Sequence, residues 1–295
     1  MNGEFGTYTL TIKGEKLTVE KPLIMGILNV TPDSFYSGSR MGSDEALIGK
    51  RVEQILDEGG DMIDIGAYST RPNADDISAD EEYARLKTGL NIIKSIDANV
   101  VVSVDTFRAD VARKCVEEFG VDIVNDVSGG TLDDEMFATV AKLKVPYILM
   151  HMRGTPATMQ QLTDYSDVTR DVIADLRQKK LALNELGVEE VIIDPGFGFS
   201  KTLEQNFEML NRLEDFKQLC APLLVGVSRK SMIFRTLGCT PVESLNGTTV
   251  INTISLMKGA HILRVHDVKE AVEVNKLVCS TLGVRYKKLQ EKSII

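Results

Sequence analysis

The chain has 295 residues, of which 43 are acidic, 34 basic and 43% hydrophobic, with a formal charge of −9. The apolar share suffices for a large core and excludes a disordered chain. The net acidity argues against a nucleic-acid partner but leaves a small local basic site open.

In chain order, Met1-Asn2-Gly3-Glu4-Phe5 has no basic start ahead of an apolar stretch, so no secretory signal is visible. No later run approaches the roughly 18–20 apolar residues of a membrane span. The expectation is a soluble, cytoplasmic protein without a membrane partner. Cys115, Cys220, Cys239 and Cys279 form no C-x-x-C pair and read as reduced thiols. Residues 7–19 alternate apolar and polar on both sides of Lys13-Gly14-Glu15, which predicts a β-hairpin. Eight short apolar runs follow at 23–30, 62–65, 100–104, 123–127, 147–150, 191–193, 223–227 and 262–265. Such runs suit parallel strands buried on both faces. Helix-period stretches lie between them at 44–58, 79–96, 108–119, 133–143, 163–186, 203–213, 241–258 and 268–282, with stops at Gly59-Gly60, Gly120, Gly187 and Gly283. The length alone suggests two domains of about 150 residues. The alternation instead predicts an α/β fold, a single (β/α)8 TIM barrel with an N-terminal β-hairpin, as one domain over 1–295 with the barrel at about 23–283. A doubly wound sheet would carry a glycine fingerprint after strand one, where this chain has Asn29-Val30-Thr31-Pro32. The longest uncovered loops are 31–42 and 67–78.

In this fold the functional groups sit at the C-terminal strand ends. The eight runs stop at Asn29, Asp64, Asp105, Asn125-Asp126, His151, Asp194, Ser228-Arg229-Lys230 and Arg264-Val265-His266. Each strand therefore delivers a polar group to one rim. Asp105, Asn125 and Asp194 could line one pocket: carboxylates and an amide suit the ring N–H and amino edge of a guanine-like heterocycle. Lys230 could donate to that ring's carbonyl oxygen. Arg71, Arg264 and His266 are expected as cations, near the loops where this fold often binds phosphate. A phosphorylated heterocycle is the implied ligand. The Gly196–Lys201 stretch lacks the G-x-x-x-x-G-K-[ST] spacing of a nucleotide loop. His261 reads as structural, and His151 is open between structural and functional roles.

The stretch Gly26-Ile27-Leu28-Asn29-Val30-Thr31-Pro32-Asp33-Ser34-Phe35 resembles the first signature of bacterial dihydropteroate synthase, and 63–72 resembles the second. Further matches include Ser103-Val104-Asp105-Thr106, Asn125-Asp126-Val127-Ser128, Asp194-Pro195-Gly196-Phe197, Gly226-Val227-Ser228-Arg229-Lys230-Ser231 and Arg264-Val265-His266-Asp267. They run in the family's order over about 23–283. The resemblance implies condensation of 6-hydroxymethyl-7,8-dihydropterin pyrophosphate with p-aminobenzoate, giving 7,8-dihydropteroate and pyrophosphate in folate synthesis. It implies a sulfonamide target and a homodimer through the outer helices. Asp105, Asn125, Asp194 and Lys230 match the pterin-pocket positions. Thr70, Arg71, Arg264 and His266 match those around the pyrophosphate, and Asn29 matches a Mg²⁺ contact. Phe199, Pro72, Lys230 and Ser231 match those around p-aminobenzoate, while Asp33 and Phe35 fall on the first loop. Asp105, Lys230, Arg264, His266 and Arg71 are the expected catalytic set. The chain departs from the family at Ala67-Tyr68, where Gly-Glu is usual, and at Asn73, where Gly is usual. Two alternatives remain: a pterin-binding methyltransferase domain and a catalytically silent synthase-like binding protein. An SN1-like displacement is the expected mechanism.

Overall fold

In a β-strand every second side chain points to the same face, and in a closed barrel that face is the interior. The computed structural model, which describes residues 6–31, 41–69 and 76–286, arranges eight parallel strands in this way. They are β3 (Leu23–Asn29), β4 (Met62–Gly66), β5 (Val101–Asp105), β6 (Ile123–Asp126), β7 (Tyr147–Met150), β8 (Val191–Asp194), β9 (Leu224–Val225) and β10 (Ile262–Val265). Their order is β8-β7-β6-β5-β4-β3-β10-β9, and the parallel bridge Ile193↔Leu223 joins the two ends. This is the expected TIM barrel.

The alternation explains why these strands read as unbroken apolar runs. Ile24, Leu28, Ile63, Ile65, Val102, Val104, Val124, Leu149, Ile193, Leu263 and Val265 belong to the large cluster that the helices cover. Their neighbours Leu23, Met25, Met62, Val101, Ile123, Ile148, Ile192, Leu224 and Ile262 form a separate inner cluster. The expected hairpin, β1 (Tyr8–Ile12) with β2 (Glu15–Val19), turns at Lys13 and Gly14, both at left-handed φ (52° and 76°). Its Leu10, Ile12 and Val19 belong to the inner cluster, so the hairpin plugs the N-terminal end of the barrel. Thr11 fastens it there, donating from N and Oγ1 to the Glu190 carboxylate at 2.6 and 2.5 Å.

The helices are α1 (Met41–Asp57), α2 (Ala79–Ile96), α3 (Ala109–Phe119), α4 (Met136–Leu143), α5 (Val168–Glu185), α6 (Leu203–Asn211), α7 (Ser231–Leu237), α8 (Leu245–Met257) and α9 (Val268–Leu282). Gly120 and Gly283 terminate α3 and α9 in the left-handed conformation, as the sequence stops imply. The seven-residue α7 is absent from the sequence reading, because two turns carry too little periodicity to register. The expected strand 223–227 shrinks to β9, and the expected helix 163–186 begins only at Val168, where the Asp167 carboxylate caps it by accepting from Arg170 N.

Candidate active site

Two residues beyond the inner apolar layer, the same alternation places a second inward set. Met62 leads to Asp64, Val101 to Ser103 and Asp105, Ile123 to Asn125, Ile192 to Asp194, and Ile262 to Arg264 and His266. These groups close the C-terminal end of the barrel, beneath and along a cleft of about 990 Å³. Among the described residues, Asn29, Asp105, Phe199, Lys230, Ser231, Arg264 and His266 line the cleft. Asn125 and Asp194 are buried immediately beneath it. Thr70, Arg71, Pro72, Asp33, Phe35 and Asn73 lie outside the described residues.

Arg264 is the centre of the arrangement. Its Nε donates to Asp64 Oδ2 at 2.6 Å and its Nη2 to Asp105 Oδ2 at 2.7 Å. Asn125 Nδ2 donates to both Asp64 oxygens, at 3.2 and 3.3 Å. The sequence reading sets the cations apart from the carboxylates; in the structure Arg264 lies among them. The reason is geometric: Arg264 faces inward from β10, and its side chain is long enough to reach the ends of β4 and β5. Burial disfavours the guanidinium, but Asp64 and Asp105 outweigh it and hold Arg264 above its ordinary value. Burial pushes the Asp105 carboxyl up to about 7, against the opposing pull of Arg264. Burial also raises Asp194, whose Oδ1 accepts from Gly196 N at 2.8 Å.

Lys230 reaches the cleft from the segment after β9, donating to the Phe197 carbonyl with its Nζ 4.7 Å from the Phe199 ring centroid. Burial lowers its pKa to about 8. His266 differs from its expected role as a cation. Burial first, and then Arg264, hold its pKa down at about 4, so the ring is neutral near pH 7. Its Nδ1 shares a 3.2 Å hydrogen bond with Ser228 Oγ.

Two strand-end residues face away from the barrel interior. Asp126 follows Asn125 by one position, so it faces the helices, where it accepts from Tyr147 Oη at 2.6 Å and from Ser128 N and Gly130 N at 2.7 Å. His151 follows the inward Met150 and is likewise turned away from the barrel interior, onto Lys201. Asp64 is the functional candidate that the sequence reading leaves as a mere strand end. Its signal was the even spacing from Met62, which marks it as inward. Tyr68, at the family departure, lines the cleft and donates to Asp76 Oδ1 at 3.2 Å. Arg108 lies 5.3 Å from its ring centroid, and the Phe107 ring meets it edge-on at 4.9 Å.

No group of three or more His, Cys, Asp or Glu residues among those described could hold a metal by itself. Asn29 offers a half-buried amide at the end of β3. No described helix is long and apolar enough to cross a membrane.

Residues 25–266 match a family model described as pterin binding enzyme. The chain is 39% identical over 288 residues to the dihydropteroate synthase of Escherichia coli (strain K12), covering 96% of this chain and 99% of the relative. The crystal structure of dihydropteroate synthase from Thermus thermophilus in complex with 4-aminobenzoate superposes with a TM-score of 0.82 at 35% identity, covering 92% of this chain and 99% of that one. The Yersinia pestis dihydropteroate synthase, solved with a sulfonamide drug, gives a TM-score of 0.83 at 36% identity, covering 94% and 100%.

Proposed function

This chain belongs to the dihydropteroate synthase family of pterin binding enzymes, and from that membership we propose that it joins 6-hydroxymethyl-7,8-dihydropterin pyrophosphate to p-aminobenzoate. The products are 7,8-dihydropteroate and pyrophosphate, which makes it a transferase of folate synthesis and a sulfonamide target. One observation carries the reading: inward Asp64, Asp105, Asn125 and Asp194 gather beneath the cleft whose wall bears Lys230, Arg264 and His266.

The pterin edge suits that floor. Carboxylates of Asp105 and Asp194 accept from its amino and ring N–H groups, Asn125 donates and accepts, and Lys230 donates to the ring carbonyl. Phe199, Lys230, Ser231 and Pro72 surround the arylamine. Arg264, His266, Arg71 and Thr70 hold the pyrophosphate. The arylamine is already a neutral nucleophile, so little base catalysis is needed. The methylene C–O bond breaks first, its electron pair leaving with pyrophosphate. The p-aminobenzoate nitrogen then forms the C–N bond and loses a proton to water. Asp105 and Asp194 stabilise the cationic pterin in between, and Arg264 and Arg71 the departing anion. His266, neutral without ligand, gains its proton as the anion arrives.

A hard oxygen donor such as the Asn29 amide suits Mg²⁺, with the remaining ligands coming from pyrophosphate and water. Bound there, the ion would neutralise charge growing on the leaving group.

The chain acts as one pterin-binding domain over 1–295 in the cytoplasm. It pairs as a homodimer through the outer helices, where Leu237, Val250, Met257 and Leu277 of α7–α9, with Val242 between α7 and α8, are exposed apolar side chains. Light scattering at micromolar concentration should return twice the 32.5 kDa chain mass.

The direct test supplies both substrates and Mg²⁺ and quantifies dihydropteroate and pyrophosphate. Equal yields are expected, and no product from folded protein refutes the assignment. Omitting p-aminobenzoate addresses the mechanism: slow pyrophosphate release supports the dissociative step, and none counts against it.

A further inference from the structure

The pocket's most buried cation takes no part in the reaction above. Lys201 is only 4% exposed, although its residue lines the cleft. Its Nζ makes three bonds of 3.0 Å each: to His151 Nδ1, to the Gly196 carbonyl and to the Phe199 carbonyl. An ammonium has three donors and no acceptor, so all three are used. Facing an ammonium, His151 presents an unprotonated Nδ1; burial and Lys201 hold the His151 pKa well below its ordinary value, and burial likewise lowers Lys201 well below its own, with Asp194 opposing that shift.

The segment these bonds tie down needs such a restraint. It follows β8 with Gly196, Gly198 and Ser200 at left-handed φ of 70°, 82° and 46°. It passes so close to β7's end that a Cβ on Gly196 would sit 2.0 Å from the His151 carbonyl oxygen. Around this turn hang the groups that Lys230 touches: the Phe197 carbonyl, which accepts its hydrogen bond, and the Phe199 ring. Asn206 fastens the other side, its Oδ1 accepting from Gly198 N at 2.7 Å.

We infer that Lys201, seated on His151, is a positioning residue for the arylamine subsite: it clamps the 196–200 turn so that Phe199 and the Phe197 carbonyl hold Lys230 in place. The inference rests on the function proposed above. It grades the two substrates: Lys230 and the Asp194–Gly196 bond carry a small part of the effect to the pterin, whose other partners Asp105 and Asn125 sit on β5 and β6, whereas Phe199, which meets the arylamine alone, depends wholly on the turn.

The test is steady-state kinetics on the full-length enzyme, varying each substrate in turn. Lys201→Met should raise the KM for p-aminobenzoate about tenfold, the size of one lost charge-assisted hydrogen bond, and the KM for the dihydropterin substrate less than about threefold. His151→Phe should move the same KM in the same direction by about threefold. It serves as the readout if Lys201→Met does not fold. Because the clamp acts in large part through Phe199, Lys201→Met added to Phe199→Ala should cost clearly less than it does in the unsubstituted enzyme. Equal rises in both KM values, unchanged KM values with less active protein, or multiplying effects in the double variant would each overturn the inference. Absence of turnover in the unsubstituted enzyme would instead refute the function on which it rests.

Discussion

The two ends of one barrel obey opposite rules. At the N-terminal end the inward positions are Leu23, Met25, Met62, Val101, Ile123, Ile148, Ile192, Leu224 and Ile262, plugged by hairpin residues Leu10, Ile12 and Val19. Two or four residues further along five of these strands the inward positions become Asp64, Asp105, Asn125, Asp194 and Arg264. The first end gains free energy from every buried methylene. The second end buries charges that oppose one another and that shift pKa values wherever they are not fully compensated. The difference teaches where stability and activity reside: substitutions at the plug should act on stability, and those at the rim on turnover.

The sharpest way to break that contrast is Lys230→Met. Loss of the donor that the proposed function aims at both substrates should cut kcat/KM by about 10²–10³-fold. Removing a half-desolvated ammonium should leave the melting temperature unchanged or raise it by about 2 °C. A large drop in melting temperature would show that the rim also holds the fold together. At the other end Leu10→Ala should cost about 3 kcal/mol in denaturant unfolding while both KM values stay put. A changed KM there would couple the plug to the site.

A pH series sharpens the comparison within one residue. Lys230 titrates at about 8 in the folded protein, against an ordinary 10.5. Between those values the unfolded chain holds a proton that the folded one lacks, so this residue's contribution to stability rises with pH. Activity should move the other way, with kcat/KM falling above about pH 8 as the ammonium is lost. Lys230→Met should abolish that stability slope. The smallest effect concerns His266: NMR titration of the ligand-free protein should find its ring neutral down to about pH 4, with the value rising when pyrophosphate is added. A titration near 6.5 in the free protein would contradict the buried environment assigned to it.

The barrel itself was legible in the sequence because strands buried on both faces leave unbroken apolar runs, and eight of them alternate with helical periods. The rim was legible as a set of strand ends, but not every member points inward. Asn125 and Asp126 adjoin in sequence yet serve the pocket and the helix layer respectively. Counting in twos from the inner apolar residues separates them, and it would also have promoted Asp64 and demoted His151. Two features lay beyond that count. The short α7 has too few residues to show a period, and the neutral state of His266 depends on Arg264 and on burial, which sequence spacing does not encode.

The central claim is that one carboxylate-and-amide floor grips the pterin while its leaving group faces the neighbouring cations. A crystal structure of the full-length protein with 6-hydroxymethyl-7,8-dihydropterin pyrophosphate tests it most directly. The account predicts the ring's amino edge against Asp105, Asn125 and Asp194, with the pyrophosphate turned toward Arg264 and His266. A ring bound away from these strand ends, or reversed so that its phosphates meet the carboxylates, would contradict it.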